Sequence, residues 1–437
     1  MSDLNGSSLK TRFYISLFLL SLTFSLQAHP LLMGGASGAG DPTFDGVLAN
    51  PATGADFDTH HASFSYAPQY KMQEIRYPGF PSNENNSTNF ANLPTGGGVY
   101  RVNDLIAVGM SIPIPGLKAK IEFEDLPLNI LGQKTDVDIE ADGQLLKLEG
   151  FMSYKFMPKL RFGLLVGYEN TDADVMIYDS PSKEEVAPVT VKITKLRLRL
   201  GVAYRVHPKV DLGFATTVFQ QDSNEFKAEI ISGINDNESA SGDPEVTRIL
   251  AKTIATIAVK VSPHFLFIGE IEYNPKPDEK RLSIVDFKEQ PIDGEMSVGG
   301  RLGAKYSYAN LGVYLGGAYE PTTIGPGTTG KTNDTTGYGF FDFNLAGLLG
   351  QNIKPFWLVG GGFEYKFKPV RTRAMKKPAT MNNEDYMKYQ AKKYMAGVKF
   401  GLVYQQTSVG IDNSGEQPAA YVQRLFHFPI SLYYNFY

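Results

Sequence analysis

From Leu160 onward the chain changes chemical character at every second residue. Leu160, Phe162, Leu164, Val166 and Tyr168 alternate with Arg161, Gly163, Leu165, Gly167 and Glu169. Leu196, Leu198, Leu200, Val202 and Tyr204 alternate with Lys195, Arg197, Arg199, Gly201, Ala203 and Arg205, and the pattern returns near residues 296–306, 341–345 and 357–367. Period two is the period of a strand, whose successive side chains leave opposite faces of the sheet. Each segment therefore has one apolar face and one polar or small face.

A punctuation recurs between these segments. A short polar turn precedes an apolar run with Gly at its fourth or fifth residue in most cases: LIAVG after Asp104, LRFG after Lys159, VDLG after Lys209, FLFIG after His264, LGVYLG after Asn310 and FWLVG after Pro355. These turns alternate with long connections rich in Asn, Asp, Gly, Ser and Pro at 78–98, 116–143, 180–189, 231–245, 275–293 and 321–337. Short turns at one end and long loops at the other mark an up-and-down transmembrane β-barrel. A soluble sandwich also alternates, but nothing in it requires one-sided turn lengths. Fifteen segments read as strands, whereas a single-chain barrel with both ends on one side needs an even number. Residues 394–407 are set aside with the helix-like run NNEDYMKYQAKKY as a long last outer loop, and fourteen strands are expected.

The flanks agree with export. Lys10 and Arg12 precede a 14-residue apolar stretch at 13–26, and Ala28 offers a cleavage point, so 1–28 reads as a signal peptide. Residues 29–59 are rich in Gly and Ala and do not alternate, which reads as a hatch plugging the lumen of a barrel over 60–437. Gly35–Gly40 is not a phosphate loop, because no strand precedes it and Pro42 follows it. The chain ends in ISLYYNFY, an aromatic last strand of the kind barrel-assembly machinery recognises, with Tyr437 at its tip. The 44 Gly, 28 Phe and 24 Tyr suit an exported β protein, and the signal peptide, barrel pattern and last strand together place the expected barrel in the outer membrane among its lipids. The absence of Cys excludes a disulfide scaffold and a thiolate metal site, and a net charge of −4 argues against nucleic acid as a partner.

A Gly/Ala-rich segment, then Asn50-Pro51-Ala52 before the first strand, then a third strand broken at IPIPG resembles the FadL/TodX family of outer-membrane transporters of hydrophobic compounds. The resemblance implies a 14-stranded barrel with an N-terminal hatch and passive uptake of long-chain fatty acids or aromatic hydrocarbons. It also implies lateral release at the kinked third strand, with Asn50, Pro51 and Ala52 as the hatch segment beside the opening. The residues themselves fit. Pro113 and Pro115 have no N–H to give a ladder, and Gly116 beside them completes a break; the competing reading is that the prolines simply end the strand.

Inside the barrel, Lys195, Arg197, Arg199 and Arg205 share one face and are candidates to orient a fatty-acid carboxylate. The competing reading is an ion-pair network with acids such as Asp211, Glu270, Glu272 or Glu295, the ordinary lining of a polar lumen. No catalytic, metal or cofactor site is expected: His60 and His61 are adjacent and leave opposite faces, and neither a His-x-x-x-His nor a Gly-x-Ser-x-Gly motif occurs. The expected function is passage of hydrophobic small molecules, which requires an apolar pocket under the hatch and a gap in the wall. The alternatives are a structural or adhesin-like barrel acting through loops 116–143 and 373–420, and an aqueous porin.

Overall fold

The alternating segments pair edge to edge and close on themselves. The computed structural model describes residues 32–33, 36–40, 43–76, 83–89, 95–113, 119–130, 133–179, 182, 185–230, 238–242, 245–275, 280–282, 289–291, 296–320, 356–367, 395–412 and 418–436. In chain order the wall is β1 (His60–Tyr66 and Gln69–Arg76), β2 (Asn83–Asn89 and Thr95–Arg101), β3 (Ile106–Pro113 and Ala119–Ile130), β4 (Gln133–Met157), β5 (Leu160–Asp179), β6 (Glu185–His207) and β7 (Val210–Ile230). It continues through β8 (Glu245–Ser262), β9 (Phe265–Asn274), β10 (Ser297–Tyr308), β11 (Leu311–Glu320), β12 (Phe356–Lys366), β13 (Met395–Asp412) and β14 (Pro418–His427 and Ile430–Phe436).

Every strand runs antiparallel to its sequence neighbours, and His60 of β1 opposite Phe436 of β14 closes the ring. Fourteen strands make the closed barrel. Closure matters because a bilayer offers no water to an unpaired strand edge. Among the described residues no helix is long and apolar enough to cross a membrane, which says nothing of a crossing by strands.

The alternation sorts as expected. Phe162, Val166 and Tyr168 are exposed on the outside of β5, while Arg161 and Leu165 are buried inside. On β6, Leu196, Leu200, Tyr204 and Val206 face out. Ten residue steps at about 3.3 Å, tilted by about 40°, make an apolar band about 25 Å tall. Aromatic rings gather near the short-turn rim, where Tyr154, Phe156 and Phe162 stack edge to face. Tyr319 opposite Trp357 marks the other rim.

Three expectations are corrected. Residues 394–407 are not loop: Met395–Asp412 pairs with β12 on one side and β14 on the other, because VKFGLVY carries the same alternation as its neighbours. The surplus segment is 338–350, which lies outside the described residues; β11 pairs directly with β12, so the barrel closes without it. The turn before FWLVG also belongs to the other end. Glu320 opposes Phe356 at the long-loop rim and Leu311 opposes Tyr365 at the short-turn rim, so the connection 368–394 leaves from the short-turn end. Finally, much of 116–143 is strand, because Ala119–Ile130 and the start of β4 keep pairing beyond the apolar band.

Candidate functional site

The described residues of the N-terminal segment expected to be a hatch, and called the hatch below, lie within the wall. Leu32, Met33, Ala36 and Ala39 are buried with Ala258, Leu266, Ile268, Tyr314, Leu358 and Val403 of β8, β9 and β11 to β13. Helix α1 (Phe44–Ala49) begins at Thr43, whose hydroxyl caps Gly46 N at 3.1 Å. A 3-10 helix (Pro51–Asp56) follows at once, with Pro at its first position, where a missing N–H costs nothing. Phe44, Val47, Leu48 and Phe57 pack on Val99, Ala107, Phe151 and Leu165 of β2 to β5.

Asn50 joins the two halves. Its Nδ2 donates to Gly38 O at 3.0 Å and to Val202 O of β6 at 3.1 Å, and its Oδ1 accepts from Ala52 N at 3.1 Å. Both N–H donors of the amide are used and its oxygen accepts once, a combination that neither Asp nor Leu could reproduce. Pro51 and Ala52 press against bare backbone: a Cβ on Gly163 would collide with Pro51, and one on Gly201 with Asn50. Gly163 and Gly201 face each other across β5 and β6, and Gly213 on β7 meets Gly38 O. Two of the glycines that punctuate the strand starts, Gly163 and Gly213, are therefore the seat of the hatch.

The four cations of β6 face inward as expected, and each meets a partner. Lys195 pairs with Glu169 at 3.4 Å, Arg197 with Glu149 at 2.6 Å, and Arg205 Nε with Asp211 at 3.0 Å. Arg199 reaches the hatch: Nη1 donates to Leu48 O at 2.8 Å and to Ala49 O at 3.4 Å, the free carbonyls at the end of α1. Of the acids proposed as partners, Glu270 and Glu272 serve other groups. Glu270 accepts from Arg301, Thr256 and the amides of Ser37 and Gly38; Glu272 pairs with Arg301 and Lys252. Glu295 lies outside the described residues.

Sequence reasoning did not single out Arg161 or Asp56, whose side chains meet at 2.6 Å, because a lone Arg in LRFG and one of four Asp in the hatch carry no motif. It also passed over the cluster around Glu364, which accepts from Tyr314 OH and Tyr433 OH, both at 2.7 Å, with Lys305 at 3.6 Å. Glu364, Tyr433 and Lys305 line a cavity of about 320 Å³ between the hatch and β1, β10, β12, β13 and β14. The cavity includes Asp45, Lys366 and Lys399 as well as Phe44 and Phe57. An apolar pocket was expected under the hatch; this one has a mixed lining, with charged, neutral polar and aromatic residues side by side.

The register of the wall shifts behind the hatch. β3 pairs with β4 up to Ser111 opposite Glu149, and again from Ala119 opposite Gly143. Seven positions of β3, 112–118, thus stand against five of β4, 144–148, a surplus of two on β3; of these seven, 114–118 lie outside the described residues. On its other side β3 stays paired to β2 as far as Pro113 opposite Thr95. Pro115 and Gly116 lie outside the described residues. The hatch stands next to this place. A Cβ on Gly97, which opposes Ser111, would strike the Phe44 ring; Ser153 Oγ of β4 donates to Pro51 O at 2.5 Å; and the Phe44 and Phe151 rings are 6.4 Å apart.

No protein-family model matches the sequence, and no curated protein does. Solved structures do match. A FadL homologue of Pseudomonas aeruginosa superposes with a TM-score of 0.63 at 14% identity over 95% of this chain and 99% of its own. The toluene transporter TodX of Pseudomonas putida gives 0.60 at 15% identity over 94% and 99%. The toluene transporter TbuX of Ralstonia pickettii gives 0.54 at 13% identity over 94% and 99%. This chain has the fold of the FadL/TodX barrels along nearly its whole length.

Proposed function

We propose that the chain is an outer-membrane protein for passive uptake of hydrophobic small molecules such as long-chain fatty acids, released sideways through the wall at β3. The observation that carries this reading is the coincidence of the two-residue register shift between β3 and β4 with the hatch packed directly behind it. A closed barrel has no need of surplus residues on one side of a ladder, and a surplus kinks the wall where it falls. An opening that lets cargo pass into the lipid supplies the reason. The apolar cluster of Phe44, Phe57, Phe151 and Leu165 gives the inner side of that place a greasy lining. The similar solved structures add support, since they include a FadL homologue and toluene transporters.

In this reading residues 29–59 are the hatch, 1–28 is the signal peptide, and Asn50, Pro51 and Ala52 hold the hatch against the glycine seat. Pro113, Pro115 and Gly116 keep the third strand from completing its ladder. Lys195, Arg197, Arg199 and Arg205 act first on the protein itself, three in ion pairs and one on the hatch helix. The test is uptake of labelled hydrophobic compounds by cells that make this barrel as their sole such protein. Replacing Pro113, Pro115 and Gly116 with β-branched residues should abolish uptake while leaving the barrel folded. Unchanged uptake in that variant, and in one lacking residues 30–55, would leave the reading without support.

A further inference from the structure

Asp56 is the last residue of the 3-10 helix and stands four positions before β1. Its carboxylate enters a ring of charge otherwise built by the wall. Arg161 Nη1 donates to both Asp56 oxygens at 2.6 Å, and Arg161 Nη2 donates to Asp211 Oδ1 at 3.2 Å. Arg205 Nε donates to the same Asp211 oxygen at 3.0 Å, and its Nη2 lies 3.9 Å from Asp56. Two guanidiniums from β5 and β6 therefore meet two carboxylates, one from β7 and one from the hatch.

We infer that this quartet is the clamp that keeps the hatch seated, with Arg161 and Arg205 as positioning residues acting through Asp56. The inference rests on the proposed reading of the N-terminal segment as a plug. The charge inventory makes the seated position self-consistent. If Asp56 withdraws, two guanidiniums share Asp211 alone, through an oxygen that already accepts from both. Arg161 is the largest side chain buried to 1% exposure, and its Nε has no hydrogen-bond partner among the described residues. A buried charge stripped of its partner is strongly disfavoured. Asn50 and Ser153, by contrast, hold the hatch through neutral hydrogen bonds, each worth about 0.5–1.5 kcal/mol net.

The place of the quartet also matters. Arg161 and Asp211 sit one residue inside their strands at the short-turn rim, below the glycine seat. A clamp there fixes the base of the 3-10 helix and so the angle at which Asn50, Pro51 and Ala52 meet Gly163 and Gly201.

The experiment measures single-channel conductance in planar bilayers for the full chain and for Asp56→Asn, Arg161→Met, Arg161→Lys and the double variant Asp56→Asn/Arg161→Met. Folding of each is checked by heat-modified gel migration. Each of Asp56→Asn and Arg161→Met should raise the frequency of open events about tenfold, equivalent to a loss of about 1.4 kcal/mol from the closed state. The double variant should be no leakier than the worse single one, because both remove one interaction. Arg161→Lys should fall between wild type and Arg161→Met. If Arg161→Met does not fold, the near-isosteric Asp56→Asn carries the test alone. Wild-type closure in Asp56→Asn, or open frequencies that multiply in the double variant, would overturn the clamp. A chain lacking 32–55 is the separate control: if it does not conduct, the plug reading falls and the clamp with it, whereas a conducting deletion beside a silent Asp56→Asn removes the clamp only.

Discussion

The hatch meets two parts of the wall in different ways. Against β5 to β7 its backbone lies flush on Gly163, Gly201 and Gly213, and Arg161, Arg199 and Arg205 reach Asp56 and the end of α1 beside that seat. Against β8 to β14 its side chains make the contact: Leu32 and Met33 press on Gly303, Gly362 and Gly401 and pack with Tyr314, Leu358 and Val403, while Glu270 accepts from the Ser37 and Gly38 amides. Next to them Glu364, Lys305 and Lys399 line a cavity of about 320 Å³. Backbone fit governs the first part, and side-chain packing with a charged cavity beside it governs the second.

Substitutions in each part separate the two modes of contact. The largest effect on stability should come from Glu270→Ala, which strips Arg301 of one of its two carboxylates and leaves the Ser37 and Gly38 amides without their acceptor. Breaking a buried pair from one side costs about 3–5 kcal/mol, read as a lower temperature for heat-modified gel migration. Next comes Gly163→Ala, whose added carbon meets the backbone of Pro51 and Ala52. Overpacking of this kind costs about 1–3 kcal/mol, and here it should appear as protease cleavage within the hatch while the barrel stays intact. Gly300→Ala, where a Cβ would meet nothing within 4 Å, is the matching control and should change neither readout.

Arg199→Met follows, at about 1–2 kcal/mol, because it uncaps the α1 carbonyls and gives up the Nε hydrogen bond to Thr217 but breaks no ion pair of the wall. The smallest effect belongs to Lys195→Met. Its pair with Glu169 is partly open to solvent at 3.4 Å and should contribute less than about 1 kcal/mol. If Lys195→Met proved as damaging as Glu270→Ala, the division between the two parts of the wall would have to be redrawn.

Much of the wall could be read from the order of residues alone, because a lipid-facing strand has no freedom to break its alternation. The same logic, followed further, would have kept 394–407 in the barrel. What misled was the polar, helix-like run beside it, which drew a good strand into an expected loop. The turn at Lys354 and Pro355 misled for a related reason: a short polar dipeptide looks the same at either rim, and only register tells which end it occupies. Gly163 and Gly213 were visible as a recurring mark, yet their use was not, since the segment they receive lies more than a hundred residues earlier. Arg161 with Asp56 was out of reach in the same way. Ion pairs between a wall and a plug join residues whose spacing in the chain carries no signal.

The central claim is that the wall between β3 and β4, at the place where their register shifts, is the working exit, and the chain's lack of Cys permits a clean test. Ile112 and Leu148 are exposed on the outer face, one rung beyond the last paired positions Ser111 and Glu149. A disulfide between Ile112→Cys and Leu148→Cys would draw the next rung together. Uptake of a labelled long-chain fatty acid or aromatic hydrocarbon should stop on oxidation and return with reductant. Equal uptake in the oxidised and reduced states, with the crosslink verified by mass spectrometry, would contradict the account.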